Sequence, residues 1–135
     1  MKYLLDTNTV SYIVKGKSLA ARSKLAGLRA DEIGCISSIT EAEIRYGLAK
    51  APHTHALRAA IEGFLSKIRI LPWDSEEAIA YGDLRANLES RGKMLENMDM
   101  LIAAHAIAAG AALVTNDRSF SYVENLKSVN WATDL

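Results

Sequence analysis

With 135 residues, half of them hydrophobic and 24% charged, the chain is sized for one domain that buries its own core, and nothing in it has the composition of a disordered segment. Sixteen Lys and Arg balance sixteen Asp and Glu, so there is no global positive field to hold a nucleic acid passively, and only local patches remain for a polyanion. The lone cysteine, Cys35, excludes an internal disulfide and a cysteine zinc site.

In chain order, Lys2–Leu5 reads as a strand and Val10–Val14 lies in the helix that follows it. Ser18–Leu28 is helical, with Leu19, Leu25 and Leu28 at helical spacing. Ile33–Ile36 is a short buried strand that takes Cys35 into the core as an inert thiol. A helix over Ser38–Lys50 stops before Pro52, and Gly47 within it suits close helix packing. Ala56–Lys67 is helical, Arg69–Leu71 a strand closed by Pro72, and Ser75–Ser90 an amphipathic helix ending before Gly92. Asn97 is a good N-cap for a helix over Met98–Ala109, stopped by Gly110. Ala112–Thr115 is a strand, and Val129–Trp131 has the character of an edge strand.

This alternation of short strands and helices predicts an α/β domain over residues 1–135, with a mostly parallel sheet of four to five strands flanked by helices. The longest apolar run, Met100 to Thr115, contains His105 and Gly110 and is short of the ~20 residues that span a bilayer, so no membrane partner is expected. Asp6 interrupts the only apolar segment near the start, which leaves no signal peptide and makes the cytoplasm the expected compartment.

Four acids stand in four separate contexts. Asp6 ends the run LLDTN, Glu43 lies in ISSITEAEIRYG, Asp99 opens the alanine-rich helix, and Asp117 closes LVTND. In an open parallel sheet the strand ends and the following helix starts share one edge, where ligands bind, so all four acids map to that edge. Clustered carboxylates repel one another, whereas Mg²⁺ or Mn²⁺ takes hard oxygen ligands, so the pattern implies a divalent cation. Each acid also has a local reading. Asp6 opens a capping turn. Glu43 completes a capping box with Thr40, unless Ser38 and Glu41 form it and free Glu43 for the cleft. Asp99 is a favourable charge at a helix start, and Asp117 belongs to an Asn-Asp turn.

Other residues are less decisive. Arg85, Arg91 and Lys93 are either phosphate contacts or solvated charge, and the same holds for Lys15, Lys17, Arg22, Lys24 and Arg29. His105, with apolar neighbours, reads as a packed histidine. His53 and His55 lack zinc spacing. Trp73, Trp131 and Tyr46 read as core or interface.

The ordered set LLDTN, ISSIT-x-x-E-I-x-Y-G, D-x-x-I-A-A-H-A and VTND-x-x-F, with Trp131 in the final segment, resembles the PIN-domain ribonucleases, specifically the VapC-type toxins of bacterial toxin–antitoxin pairs. The resemblance covers nearly the whole chain. It implies a PIN-like fold with metal ligands at Asp6, Glu43, Asp99 and Asp117, supported by Asn8 and Thr115. It further implies Mg²⁺- or Mn²⁺-dependent cleavage of structured RNA such as tRNA, a homodimer, and a cognate VapB-type antitoxin through which operator DNA is bound. Where related chains often carry a glycine-containing loop before Asp99, this one has Leu95-Glu96-Asn97-Met98, adding the charge of Glu96.

Two alternatives follow from the same residues. One is a catalytically silent PIN-like module that only binds RNA or protein. The other is a haloacid-dehalogenase-like phosphotransferase with Asp6 as nucleophile, since Asp6-Thr7-Asn8-Thr9 echoes a D-x-D-x-T loop with its second Asp replaced.

Overall fold

The computed structural model describes residues 1–50 and 52–135. The elements run β1 (Lys2–Leu5), α1 (Thr7–Val14), α2 (Leu19–Ala26), β2 (Ile33–Ser37), α3 (Ser38–Lys50), α4 (His55–Lys67), β3 (Arg69–Leu71), α5 (Ser75–Ser90), α6 (Asn97–Ala109), β4 (Ala112–Val114), a 3-10 helix (Arg118–Tyr122) and β5 (Ser128–Val129). The five strands form one sheet in the order β3-β2-β1-β4-β5, and every pairing is parallel. The sheet is therefore wholly rather than mostly parallel.

Side-chain alternation divides the core. Successive strand residues point to opposite faces, so Leu4, Cys35 and Leu113 join α5 and α6 through Leu84, Leu88 and Ile102. Their neighbours Leu5, Ile36 and Val114 join α1, α2 and α4 through Val10, Ala21, Ile61 and Leu65. Both faces of the sheet are covered, as short apolar parallel strands require.

The strand order positions the site. From β1 the chain crosses to β2 and β3 on one side, then returns to β4 and β5 on the other. The direction of winding thus reverses between β1 and β4, and the crevice beyond their carboxyl ends is a ready-made binding place. Asp6 follows β1 directly, and Asp117 follows β4 by three residues.

Several local expectations need correction. Ser38 does not form a capping box with Glu41, because its Oγ accepts the N–H of Trp73 at 3.1 Å; the N–H of Ile39 goes to Ser37 Oγ at 3.0 Å instead. Asn97 is the first residue of α6, and Glu96 holds the cap position without a side-chain hydrogen bond. β5 ends at Val129, while Trp131 lies beyond it, buried, with its ring 5.2 Å from that of Tyr3. Gly47 does not serve close packing, since a Cβ there would meet nothing within 4 Å. The 3-10 helix after Asp117 has too short an apolar signature to be read from sequence.

Candidate metal and nuclease site

Asp6 is fixed first. Its backbone N–H donates to the carbonyl of Val114 at 3.0 Å, which ties the end of β1 to the end of β4. Its Oδ1 accepts the N–H of Thr9 at 2.8 Å, so the capping role is real. Thr9 Oγ1 donates to the Val114 carbonyl at 3.1 Å and locks the same junction. Burial pushes the Asp6 carboxyl above its ordinary pKa, while hydrogen bonds from Thr115 and Thr9 pull the other way.

Thr115 links two of the acids. It is buried, its hydroxyl favours the charged Asp6 carboxylate, and it accepts the Asp117 N–H on Oγ1 at 3.0 Å. Asp117 is exposed and opens the 3-10 helix, its Oδ1 accepting Ser119 N–H at 2.9 Å and Ser119 Oγ at 2.8 Å. Asn8 is exposed in the first turn of α1.

Glu43 is half-buried in the second turn of α3. Thr7 Oγ1 donates to its Oε1 at 2.6 Å, and the same hydroxyl lies 3.4 Å from Thr40 Oγ1. Thr7 is the residue that sequence reasoning passed over. Its one signal is its place between Asp6 and Asn8, and only the fold brings it to α3.

Asp99, half-buried in the first turn of α6, shows that the four acids meet electrostatically. Its carboxyl is pushed up to about 6, first by burial and then by the charges of Asp117, Glu96, Glu43 and Asp6. Glu96 is exposed at the helix start, yet its charge still acts on Asp99. The charges of the other acids reach Asp99, but the acids do not form a closed cage. Among the described residues, no three His, Cys, Asp or Glu side chains converge as a ready-made metal-holding group. The donor set nonetheless suits a hard divalent ion: carboxylate oxygens at one crevice, with a mutual repulsion that a cation would relieve.

The expected basic contacts are already engaged within the protein. Arg85 donates to the Tyr81 hydroxyl at 2.8 Å and pairs with Glu89 at 3.3 Å. Arg91 bonds Asn87 at 3.0 Å and the Tyr122 carbonyl, and lies 3.7 Å from Glu124. Lys93 stands over the Tyr122 ring, 4.7 Å from its centre. His105 is the packed histidine expected, buried with Nδ1 2.7 Å from Ser37 Oγ. Cys35 is buried, and burial pushes its thiol up to about 11.

Comparison with known proteins adds to this geometry. A family model described as PIN domain matches residues 3–126. Ribonuclease VapC2 of Haemophilus influenzae is 39% identical over 132 residues, covering 97% of this chain and 98% of that protein. The tRNA(fMet)-specific endonuclease VapC of Shigella flexneri is 35% identical over 133 residues, covering 98% and 99%. Among solved structures, VapBC2 from Rickettsia felis, crystallised with a DNA fragment from its promoter, matches with a TM-score of 0.90 at 36% identity, over 97% of this chain and 99% of that one.

Proposed function

The chain belongs to the PIN-domain family and to its VapC-type branch, and from that premise we propose that it is a Mg²⁺- or Mn²⁺-dependent endoribonuclease, the toxin of a toxin–antitoxin pair. The observation that carries the reading is the placement of Asp6 after β1, Asp117 after β4, and Asp99 and Glu43 in the early turns of α6 and α3, at the switch point of a parallel sheet, and the raised Asp99 carboxyl agrees with it. A phosphotransferase with Asp6 as nucleophile gives way to the family match.

Asp6, Glu43 and Asp99 would hold the ion or ions, with Asp117 as a further ligand or a positioner of water. A bound Mg²⁺ or Mn²⁺ lowers the pKa of a coordinated water and offsets charge on the scissile phosphate. Thr115 sets Asp6 and Asp117 relative to each other, and Thr7 orients Glu43. With water forming the new bond to phosphorus and the 3′ oxygen leaving with a proton, the RNA 2′-OH takes no part, and the products carry a 5′-phosphate and a 3′-hydroxyl. Structured RNA, tRNA in particular, is the proposed substrate, in keeping with the Shigella relative. A cognate VapB-type antitoxin, contact with operator DNA through it, a homodimer and a cytoplasmic setting complete the proposal, the first two in keeping with the Rickettsia complex.

The lack of a closed three-ligand group among the described residues is also what a catalytically silent RNA- or protein-binding module would show. One experiment separates the two readings. The protein, freed of any antitoxin, is incubated with total bacterial RNA with Mg²⁺ or Mn²⁺, or with chelator, beside Asp6→Asn. Asparagine is itself a good N-cap, so the α1 junction should survive. Discrete cuts that need metal and vanish in the variant support the nuclease. Equal patterns from the two folded, metal-binding proteins would leave the silent module.

A further inference from the structure

We propose that Arg118, together with the amide of Asn130 and the hydroxyl of Ser128, forms a subsite for the sugar–phosphate backbone of the RNA on the β5 side of the acids. The inference rests on the reading of the chain as an RNA-cleaving enzyme, and adds where the strand is gripped. A cleft opens past the carboxyl ends of β4 and β5, lined by Thr115, Asn116, Asp117, Arg118, Ser128 and Asn130. Thr115 and Asp117 belong also to the acid site, so a strand lying in this cleft runs directly into the reacting position.

A chain of zero net charge that binds a polyanion beside four carboxylates needs cations that are not already paired. Arg22 and Arg58 donate to the carbonyls of Ile13 and Leu48. Arg29 pairs with Asp31 and Glu32, and Arg45 with Glu41 and Glu62. Arg85 and Arg91 face Glu89 and Glu124. Among the described residues this leaves two arginines without a side-chain hydrogen bond or ion pair, Arg69 and Arg118, and no lysine lines the cleft. Arg69 begins β3, at the opposite edge of the sheet. Arg118 is next to Asp117.

The backbone that carries Arg118 is well fixed. Its carbonyl accepts Ser121 Oγ at 2.7 Å, and Asp117 caps the 3-10 turn that it opens. An exposed guanidinium on an anchored turn offers a planar fork of five N–H donors, which suits the paired oxygens of a phosphate. Asn130 adds to this. Its Oδ1 accepts the N–H of Ala132 at 2.9 Å, an assignment that turns the amide N–H₂ outward as a donor. Of the residues lining the cleft, the sole carboxylate is Asp117, whose Oδ1 is held by Ser119.

The test uses the full chain and bulk bacterial tRNA. Binding is followed by fluorescence anisotropy in chelator across a salt series, for wild type, Arg118→Ala, Arg118→Lys and Arg69→Ala. Arg118→Ala should weaken binding about tenfold and reduce the slope of log affinity against log salt by about 0.7–0.9, the contribution of one phosphate contact. Arg118→Lys should keep the slope and recover part of the affinity. Arg69→Ala should match wild type. With metal, Arg118→Ala should raise KM with kcat within about twofold, and its Mn²⁺ affinity should be unchanged, which a disturbed acid site would not allow. Equal binding by Arg118→Ala and wild type would overturn the subsite alone, as would an equal loss in Arg69→Ala, which would mean that charge rather than place matters. A wild-type protein that neither binds nor cuts tRNA would overturn the subsite together with the reading beneath it.

Discussion

Replacing Asp99 with asparagine should stabilise the metal-free protein while ending its cleavage of RNA. The carboxyl sits half-buried among like charges, and its pKa rises from the ordinary 3.8 to about 6. That span corresponds to about 3 kcal/mol of disfavour for the charged form. Solvent screening at a half-exposed group roughly halves it, to about 1.5 kcal/mol. The first turn of α6 favours a negative charge by about 0.5 kcal/mol through the helix dipole, so asparagine should gain about 1 kcal/mol. For a chain of this length that is a Tm about 4 °C higher. Because the folded pKa is raised, the penalty on wild type is fully present above pH 6. It shrinks as the pH falls from about 6 toward 3.8 and is absent below, where folded and unfolded chains are both protonated. Thermal unfolding in chelator from pH 4 to 8 would show the gap between variant and wild type closing on acidification. Saturating Mn²⁺ should reverse the order, since wild type binds the ion more tightly and gains stability by mass action. A variant less stable than wild type in chelator at pH 7.5, or a gap unchanged by pH, would refute the picture of crowded carboxylates.

His105→Ala should cost about 2–4 kcal/mol in denaturant unfolding, through the cavity and the stranded Ser37 hydroxyl, and His105→Asn should recover part of it; a loss under about 0.5 kcal/mol would show the link to be idle. His105 acts opposite to Asp99 with pH, since burial lowers its pKa below 6.5. Its neutral form is favoured in the fold, so its contribution to stability falls as the pH drops below 6.5. Cys35, with a buried thiol raised to about 11, should resist thiol reagents at pH 8 until the protein unfolds; rapid labelling of the native chain would contradict its burial.

Much of the architecture was legible because the parallel strands here are short, mostly apolar and closed by turn residues. Lys2–Leu5, Ser38–Lys50, Arg69–Leu71 and Ser75–Ser90 have the bounds that periodicity predicts. The errors fall where tertiary contacts override local chemistry. Ser38 has the sequence of a capping residue, but the approach of Trp73 from β3 takes its hydroxyl. Gly47 has the look of a packing glycine, yet open space lies beside it. The end of β5 is set by pairing with β4, whereas Trp131 continues the apolar signal into the core.

The acids show why a site is legible in kind before it is legible in geometry. Asp6 and Asp117 each cap a helix through Oδ1, so the local and the catalytic readings of these residues are not rivals. A cap fixes the carboxylate at the mouth of the crevice, and the same constraint that satisfies a backbone N–H aims the group. Strand ends and helix starts can be found from sequence, and with them the edge on which the acids fall. Their separations depend on contacts between distant segments, such as Thr7 with Glu43 and Thr115 with Asp6 and Asp117. A threonine hydroxyl has no sequence signature for this duty, because any buried threonine reads alike until its neighbours are known. The same holds for cations. Arg85 and Arg91 look available in sequence but are bound to neighbours along α5 and the segment after the 3-10 helix, while Arg118, unremarked in sequence, is left with its guanidinium open beside Asp117.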